Sequence, residues 1–248
     1  MVLFIPGFMQ RGDAWRPVAQ LLPERYPSVL LDHREHSLEG RLREIAEAAT
    51  TRSGAPGPVV LAGYSLGGRL ALRAAIRDPD RYGGVVTVGA TAGIDDAPAR
   101  SARAEADERL AAWIEASPIE NVVRVWERQP LFADQSEALV EEQRPGRLSH
   151  DPAALALLLR TAGQGVLEPV WHELMRLDRP VLAIAGGRDD GYVRAARRIA
   201  TTAPRGRAAI VAEAGHAAHL QQPEEVARLI ADFVEGLRKG WRLGATLL

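Results

Sequence analysis

Short apolar runs separated by longer amphipathic stretches limit what this chain can fold into. The runs are rich in Val, Ile and Leu and show no polar alternation, which is typical of strands buried on both faces. Strands of this kind joined by helices form a parallel sheet with helices on its two faces. The sequence therefore predicts an α/β fold with a mostly parallel sheet. The predicted strands are 2–5, 29–32, 59–63, 85–88, 181–186 and 208–212.

One long interval interrupts this alternation. Between about residues 94 and 175 the sequence shows several helical patterns, many arginines and no convincing strand. We expect an inserted helical cap there, within a single domain spanning residues 1–248, because one α/β domain often reaches this length. The last stretch, 240–248, is predicted to be a loose tail.

Charge and cysteine content exclude several classes of protein. Lys and Arg number 31 against 32 Asp and Glu, so no global field attracts nucleic acid or an anionic membrane. The chain has no cysteine, which excludes disulfides and thiolate nucleophiles. The apolar start, 1–6, is too short for a secretion signal, and no apolar run approaches the roughly 20 residues of a membrane span. We expect a cytoplasmic protein, monomeric or a small homo-oligomer, without nucleic-acid or membrane partners.

The segment Gly63-Tyr64-Ser65-Leu66-Gly67 carries the strongest chemical signal. It follows a predicted strand and opens a helical pattern, the context in which G-x-S-x-G places a serine on a tight turn. A serine hydroxyl reacts only when it is held beside an imidazole. Free N–H groups at a helix start favour negative charge, so Leu66 N–H is one predicted oxyanion donor. The second predicted donor is Phe8 N–H, in the loop after the first strand.

Two partners for Ser65 follow later in the chain, in the order acid and then histidine. Asp189 comes just after a predicted strand, and its spacing from that strand favours it over Asp190. His216 follows the next predicted strand and a glycine, which favours it over His219. We therefore predict a catalytic triad of Ser65, Asp189 and His216.

A second histidine-bearing turn, with His33 and His36, could suggest a metal site. Two histidines three residues apart on a loop, without further ligands nearby, are weak evidence for zinc. We predict neither a metal nor a cofactor.

The serine motif continues into a double glycine and Arg69, and the whole stretch 63–72 resembles the nucleophile elbow of a known family. That family is the 2-succinyl-6-hydroxy-2,4-cyclohexadiene-1-carboxylate synthases of menaquinone biosynthesis, within the α/β-hydrolase superfamily. Arg69 is the distinctive part of the resemblance. Further segments similar to the family are 102–107 with Arg103, 126–132 beginning with Trp126, 161–164, and 214–219 with His216.

This resemblance implies an α/β-hydrolase fold and a lyase activity. The implied reaction eliminates pyruvate from 2-succinyl-5-enolpyruvyl-6-hydroxy-3-cyclohexene-1-carboxylate, with the triad activating Ser65 to remove a carbon-bound proton. The partner would be a small polycarboxylate, and guanidinium groups pair well with carboxylates. The resemblance implies these substrate-binding residues: Arg69, Arg103 and Arg147 as clamps, with Tyr64 and Trp126 shaping the pocket.

One departure and two alternatives remain open at this point. Many relatives begin the oxyanion loop with His-Gly, whereas this chain has Pro6-Gly7, which leaves the geometry of that loop open. A carboxylesterase-type serine hydrolase acting on a small ester would use the same triad, and a cavity lined by Leu, Val and Phe would favour it. Arginines pointing into the cavity would favour a polyanion. A non-catalytic ligand-binding relative is the third possibility, although intact Ser65, Asp189 and His216 argue against it.

Overall fold

The computed structural model describes residues 1–51 and 59–239, so the predicted tail at 240–248 lies outside the described residues. Six parallel strands form one sheet, which confirms the predicted α/β class. The strands are β1 (Val2–Ile5), β2 (Ser28–Leu30), β3 (Val59–Tyr64), β4 (Tyr82–Val88), β5 (Val181–Gly186) and β6 (Gly206–Val211).

The strand order is β2-β1-β3-β4-β5-β6. From β1 the chain moves outward to β2, returns to pair β3 with β1, and then adds each later strand on the other side. Every pairing is parallel, so all six strands end at the same edge of the sheet. The direction of winding reverses between β1 and β3, and open α/β sheets bind ligands at that point. The loops after β1 and β3 are therefore the expected walls of a site.

Helices cover both faces of the sheet because successive strand residues point to opposite sides. In β1, Leu3 belongs to the core on one face, and Phe4 belongs to the core on the other. The first core includes residues of α2, α3 and α9; the second includes residues of α1, α10 and α11. These helices are α1 (Arg16–Leu21), α2 (Leu38–Thr51), α3 (Leu66–Arg77), α9 (Asp190–Thr202), α10 (Ala218–Gln221) and α11 (Pro223–Arg238).

Between β4 and β5 the chain forms helices, with no strand in residues 89–180. Asp96, Ser136 and Asp151 each accept backbone N–H bonds at a helix start and so fix where three of these helices begin. Some buried side chains of this segment form a core of their own, to which Met9 of the loop after β1 also belongs, whereas others, such as Leu158 and Trp171, belong to a core of the sheet. We call this segment the cap. Its helices are α4 (Ala97–Glu115), α5 (Ile119–Glu127), α6 (Glu137–Leu148), α7 (Pro152–Ala162) and α8 (Trp171–Leu174).

Across the described residues, no helix combines the length and the apolar character that crossing a bilayer demands.

Candidate active site

Ser65 lies on a tight turn between β3 and α3. Its backbone has φ 49° and ψ −108°, a left-handed conformation that strains any residue with a side chain. At Gly67, two residues on, a Cβ atom would collide with the backbone carbonyl of Ile5. Only glycine lets α3 come this close to β1. The turn therefore presents the serine hydroxyl at the edge where the strands end.

The side chains of Ser65, His216 and Asp189 form a continuous hydrogen-bonded line. His216 Nε2 lies 3.2 Å from Ser65 Oγ, and His216 Nδ1 lies 2.9 Å from Asp189 Oδ2. A carboxylate beside Nδ1 favours the tautomer with its proton there, which leaves the Nε2 lone pair free to accept the serine proton. The structure thus brings together all three residues that the sequence singles out as a triad.

Neighbouring groups hold His216 and Asp189 in place. The His216 side chain is only 2% exposed, and its ring lies 4.4 Å from that of Tyr192 and 5.3 Å from that of Tyr64. Asp189 also caps α9, because its Oδ1 accepts the backbone N–H of Tyr192 at 3.3 Å. Since one oxygen serves the helix and the other serves the imidazole, the carboxylate has a single favoured orientation.

His219, the alternative histidine, lies elsewhere. It is fully buried, with ring centroids 4.5 Å from Trp15 and 4.2 Å from Tyr64. Burial lowers its pKa to about 3, and the nearby His216 shifts the pKa in the same direction, so its ring is uncharged at neutral pH. Its Nε2 lies 3.5 Å from the side-chain nitrogen of Gln10. His219 therefore contacts the loop after β1 through the side chain of Gln10.

Gln10 holds the loop after β1 in a turn through two hydrogen bonds to Gly7. Gln10 Oε1 accepts the N–H of Gly7 at 3.2 Å, and the backbone N–H of Gln10 donates to the Gly7 carbonyl at 3.3 Å. Met9, in the middle of this turn, has φ 61°, which is unusual for a residue other than glycine. The loop has a defined turn with Pro6 in place of the usual histidine. The two predicted oxyanion donors, Phe8 and Leu66, both line the cavity described next.

A cavity of about 290 Å³ opens above Ser65, between the cap and the ends of the strands. Part of its wall is aromatic: the ring centroids of Phe8 and Trp126 are 5.1 Å apart, and those of Trp126 and Phe132 are 5.6 Å apart. Tyr64 lines it as well, together with leucines of the cap. The cavity therefore has an extensive apolar surface beside the reactive hydroxyl.

Three arginines of the described residues line the same cavity, and Arg69 differs from the other two in having no acidic partner among those residues. It is only 9% exposed, its Nε has no hydrogen-bond partner, and it forms no ion pair within residues 1–51 and 59–239. Burial lowers the pKa of its guanidinium, and the positive charge of Arg103 lowers it further. A buried cation without a counter-ion is costly, so an anion bound beside Arg69 would be strongly favoured.

The other two cavity arginines are held by acids. Arg103 Nε donates to Asp107 Oδ1 at 2.7 Å, and its Nη1 donates to Gln164 at 3.0 Å. Arg147 Nη1 donates to Glu127 at 3.0 Å. A guanidinium has five N–H donors, so both retain donors for a ligand while their acids fix their positions. Arg69, Arg103, Arg147, Tyr64 and Trp126, all predicted to bind substrate, thus surround one cavity.

Several residues of this site were missed by sequence reasoning. Asp107 carried a usable signal, since it lies four residues after Arg103 on one helix, where side chains meet. Glu127 forms contacts across a sequence separation of 20 residues and Gln164 across 61, and such pairings follow only from the tertiary fold. For Gln10 and Tyr192 no sequence signal was present.

No group of three or more His, Asp or Glu side chains in the described ranges is placed to hold a metal ion.

Comparisons with known proteins agree with this architecture. Residues 2–229 match the family described as the alpha/beta hydrolase family. Among solved structures, that of MenH from S. aureus has a TM-score of 0.88 at 23% identity, covering 96% of this chain and 94% of that one. A thermophilic esterase from Thermogutta terrifontis has a TM-score of 0.82 at 21% identity, with 95% and 89% covered. At these identities both structures establish the fold alone, and they confirm the predicted α/β-hydrolase fold.

Sequence relatives narrow the family. The 2-succinyl-6-hydroxy-2,4-cyclohexadiene-1-carboxylate synthase of Enterobacter sp. (strain 638) is 31% identical over 244 residues, 94% of this chain and 91% of that protein. A Bacillus subtilis protein provisionally given the same name is 32% identical over 182 residues, 72% of this chain and 66% of its own length. The chain therefore belongs to the alpha/beta hydrolase family and, within it, to the family of the 2-succinyl-6-hydroxy-2,4-cyclohexadiene-1-carboxylate synthases.

Proposed function

We propose that this protein is a carbon–oxygen lyase that eliminates pyruvate from 2-succinyl-5-enolpyruvyl-6-hydroxy-3-cyclohexene-1-carboxylate. The observation that carries the proposal is the buried, unpaired guanidinium of Arg69 in the cavity that also contains Ser65 and His216. A tricarboxylate substrate would supply the missing counter-charge. The names of the sequence relatives support the same reaction.

The proposed reaction begins at Ser65. Its hydroxyl proton passes to His216 Nε2 across the 3.2 Å contact while its oxygen removes a proton from a ring carbon of the substrate. The electron pair left by the C–H bond at C2 forms a C2=C3 double bond, the C3=C4 double bond of the substrate shifts to C4=C5, and the C5–O bond to the enolpyruvyl group breaks. The leaving group departs as the enolate of pyruvate and takes up the proton carried by His216 Nε2, which restores the neutral imidazole. Asp189 stabilises the imidazolium of His216 during this sequence.

Negative charge that develops on the substrate needs donors fixed in advance. In this proposal the N–H groups of Leu66 and Phe8 serve as those donors, one at the start of α3 and one in the loop after β1. Arg69 and Arg103 bind substrate carboxylates, and Arg147 is the third clamp, held by Glu127. Tyr64 and Trp126 shape the apolar part of the pocket. The ligand class is therefore a small polycarboxylate.

An esterase is the second candidate, because the leucines and aromatic rings of the cavity suit the acyl part of an ester. In that reaction Ser65 would attack a carbonyl and form an acyl-enzyme. The two candidates differ in what the arginines do, since an uncharged ester gives them no partner.

One assay distinguishes the two activities. The protein is incubated with the enolpyruvyl substrate, with coupled detection of pyruvate, and in parallel with a short-chain nitrophenyl ester. We expect pyruvate release to exceed ester hydrolysis by orders of magnitude in kcat/KM. Ester hydrolysis without pyruvate release above the uncatalysed rate would overturn the lyase proposal and favour the esterase.

A further inference from the structure

A second cavity, also of about 290 Å³, lies on the β2 side of the molecule between the cap and the sheet domain. Its walls come from the loop after β1, the loop after β2, α2 and the start of α7. It shares Gln10 and Leu158 with the active-site cavity, so these two side chains lie between the cavities. None of the residues discussed so far as substrate-binding lines it.

Arg41 of α2 is the most buried charge in this cavity. It is 6% exposed, and its Nε donates to the Glu35 carbonyl at 3.0 Å. It forms no ion pair with any residue of the described chain. Burial lowers its pKa to about 10, so the guanidinium keeps its charge at neutral pH. The two terminal nitrogens are therefore available for a planar, two-point interaction with an oxyanion.

Two histidines add polar atoms without partners. The His33 side chain is 2% exposed; its Nδ1 lies 2.7 Å from Glu44 Oε2, and its Nε2 is buried without a hydrogen-bond partner. His150 Nε2 is also buried and unpartnered. Both residues line the cavity, and burial lowers both pKa values, that of His150 to about 4. Buried polar atoms ordinarily have partners, so both nitrogens point to a ligand.

The tautomer of His33 indicates which ligand. Because Glu44 holds the Nδ1 proton, the neutral ring presents Nε2 as a hydrogen-bond acceptor, and acceptors of this kind require an O–H or N–H on the ligand. Arg41 requires anionic oxygens. A phosphate group that keeps one proton satisfies both requirements, whereas a carboxylate or a sulfate has no proton to offer at neutral pH.

The acids of the cavity are already engaged. Asp32 accepts the N–H of Gly12 at 3.4 Å and pairs with Arg11 at 3.7 Å, and Asp151 accepts two N–H groups at the start of α7. Arg34 and His36 complete the set of charged or titratable groups that line the cavity. Arg11 is thus neutralised by Asp32, whereas Arg34 and Arg41 form no ion pair among the described residues, so the uncompensated charge that lines the cavity favours an anion.

We propose that the second cavity binds a phosphate group, with the Arg41 guanidinium on its anionic oxygens and His33 Nε2 on its P–OH. The group is either inorganic phosphate, which keeps a P–OH at neutral pH, or the terminal phosphate of a monoester, which loses its second proton at about pH 6 and would bind as its monoanion. Binding needs neither Ser65 nor a turnover assay, so this proposal stands apart from the proposed lyase activity.

Calorimetric titration of the full chain at pH 7 and constant ionic strength tests the proposal. Inorganic phosphate and glycerol phosphate are the probes, and sulfate is the control anion. We expect saturable binding of at least one phosphate probe, with sulfate weaker by on the order of tenfold because it lacks the proton. If only one of the two phosphate probes binds, that result shows whether the ligand is inorganic phosphate or a monoester. Equal affinity for sulfate, or no saturable binding of either probe, overturns the proposal.

Variants test whether phosphate binds in the second cavity. Arg41→Gln should weaken phosphate binding by about tenfold or more. Arg43→Gln, which removes the same charge from an exposed position of the same helix, should leave binding unchanged. Arg69→Gln should also leave it unchanged. Equal losses for Arg41→Gln and Arg43→Gln, or loss in Arg69→Gln, would show charge screening or binding in the active-site cavity and would overturn the proposal. If Arg41→Gln does not fold, His33→Phe answers the same question.

Discussion

Ser65 combines two properties in one residue. Its oxygen is the proposed reactive group, and its backbone is held at φ 49°, where a Cβ atom is disfavoured. β3 ends at Tyr64 and α3 begins at Leu66, so Ser65 alone makes the turn between them and takes up the strain. At the scale of single residues, function and backbone conformation can therefore be tested separately.

Two substitutions of Ser65 test its catalytic role and its backbone strain separately. Ser65→Ala should lower kcat/KM for pyruvate release by about 10³-fold or more, as expected when a triad member is removed. It should change the free energy of unfolding by less than about 0.5 kcal/mol, because the side chain is not in the core. Ser65→Gly should be equally inactive yet more stable than Ser65→Ala by about 1 kcal/mol, since glycine accepts a positive φ. Steady-state kinetics and urea unfolding check both points. A Ser65→Ala protein with most of its turnover would contradict the proposed role.

The cavity arginines should act on substrate binding. Arg69→Ala and Arg103→Ala should each raise KM by about tenfold or more, because charge-assisted contacts to carboxylates are lost. Arg109→Ala is the matched control, since this arginine lies on the same helix as Arg103, is 71% exposed and pairs only loosely with Glu105 at 3.9 Å. Initial-rate measurements over a range of substrate concentrations give KM for each variant. Unchanged KM in both cavity variants would remove the polyanion hypothesis.

At the scale of elements, the strands were predictable because buried parallel strands are continuous apolar runs. The exceptions are instructive. The prediction began the fourth strand at residue 85, whereas β4 begins at Tyr82. Gly83 and Gly84 carry no strand signal, yet Gly84 lies where a side chain would meet the ring of Phe233. That requirement arises from α11, far along the chain, and a local pattern cannot contain it.

Site residues, like the strands, were predictable only where a local sequence pattern locates them. Ser65, Asp189 and His216 could be placed because each directly follows a predicted strand, and parallel strands end at one edge. The acids that hold the cavity arginines could not be placed in the same way. Glu127 and Arg147 lie on different cap helices, α5 and α6, so their pairing depends on how those two helices pack against each other in the tertiary fold.

One side chain joins the cap to the turn that carries His216. Gln221 Oε1 accepts the N–H of Gly215 at 2.8 Å, and its Nε2 donates to the Asp134 carbonyl of the cap at 3.3 Å. Gln221→Ala should lower local stability by on the order of 1 kcal/mol, which corresponds to about fivefold faster amide exchange around residues 130–136. Gln222→Ala, whose side chain makes no capping hydrogen bond, is the control. Hydrogen–deuterium exchange by mass spectrometry measures both, and equal exchange would show that the contact does not restrain the cap.

At the scale of the whole molecule, two buried histidines make stability depend on pH. Burial lowers the pKa of His219 to about 3 and that of His150 to about 4, whereas both titrate near 6.5 when unfolded. The unfolded chain therefore binds more protons than the folded one below about pH 6.5. Stability should fall as pH drops from there toward 4, by up to about 1.4 kcal/mol per pH unit for each histidine.

Variants isolate the contribution of His219. Between pH 7 and pH 5, His219→Phe should lose about 2 kcal/mol less unfolding free energy than the unmodified protein. His172→Phe, at an exposed position, should keep the original dependence. Urea unfolding of the three proteins at the two pH values gives the three differences in unfolding free energy that are compared. The same loss in His219→Phe and the unmodified protein would show that His219 does not resist protonation in the folded state.

The cap leaves the sheet after β4 and returns at β5, and these two strands are hydrogen-bonded neighbours with Val85 opposite Val181. The chain thus leaves the sheet and returns to it at two adjacent strands. The strands can therefore keep their positions when the helices between them change in length or sequence. Ser65, Asp189 and His216 all lie outside that interval. Substitutions confined to that interval can therefore change Arg103, Trp126 and Arg147 of the cavity wall while the proton-transfer residues keep their positions.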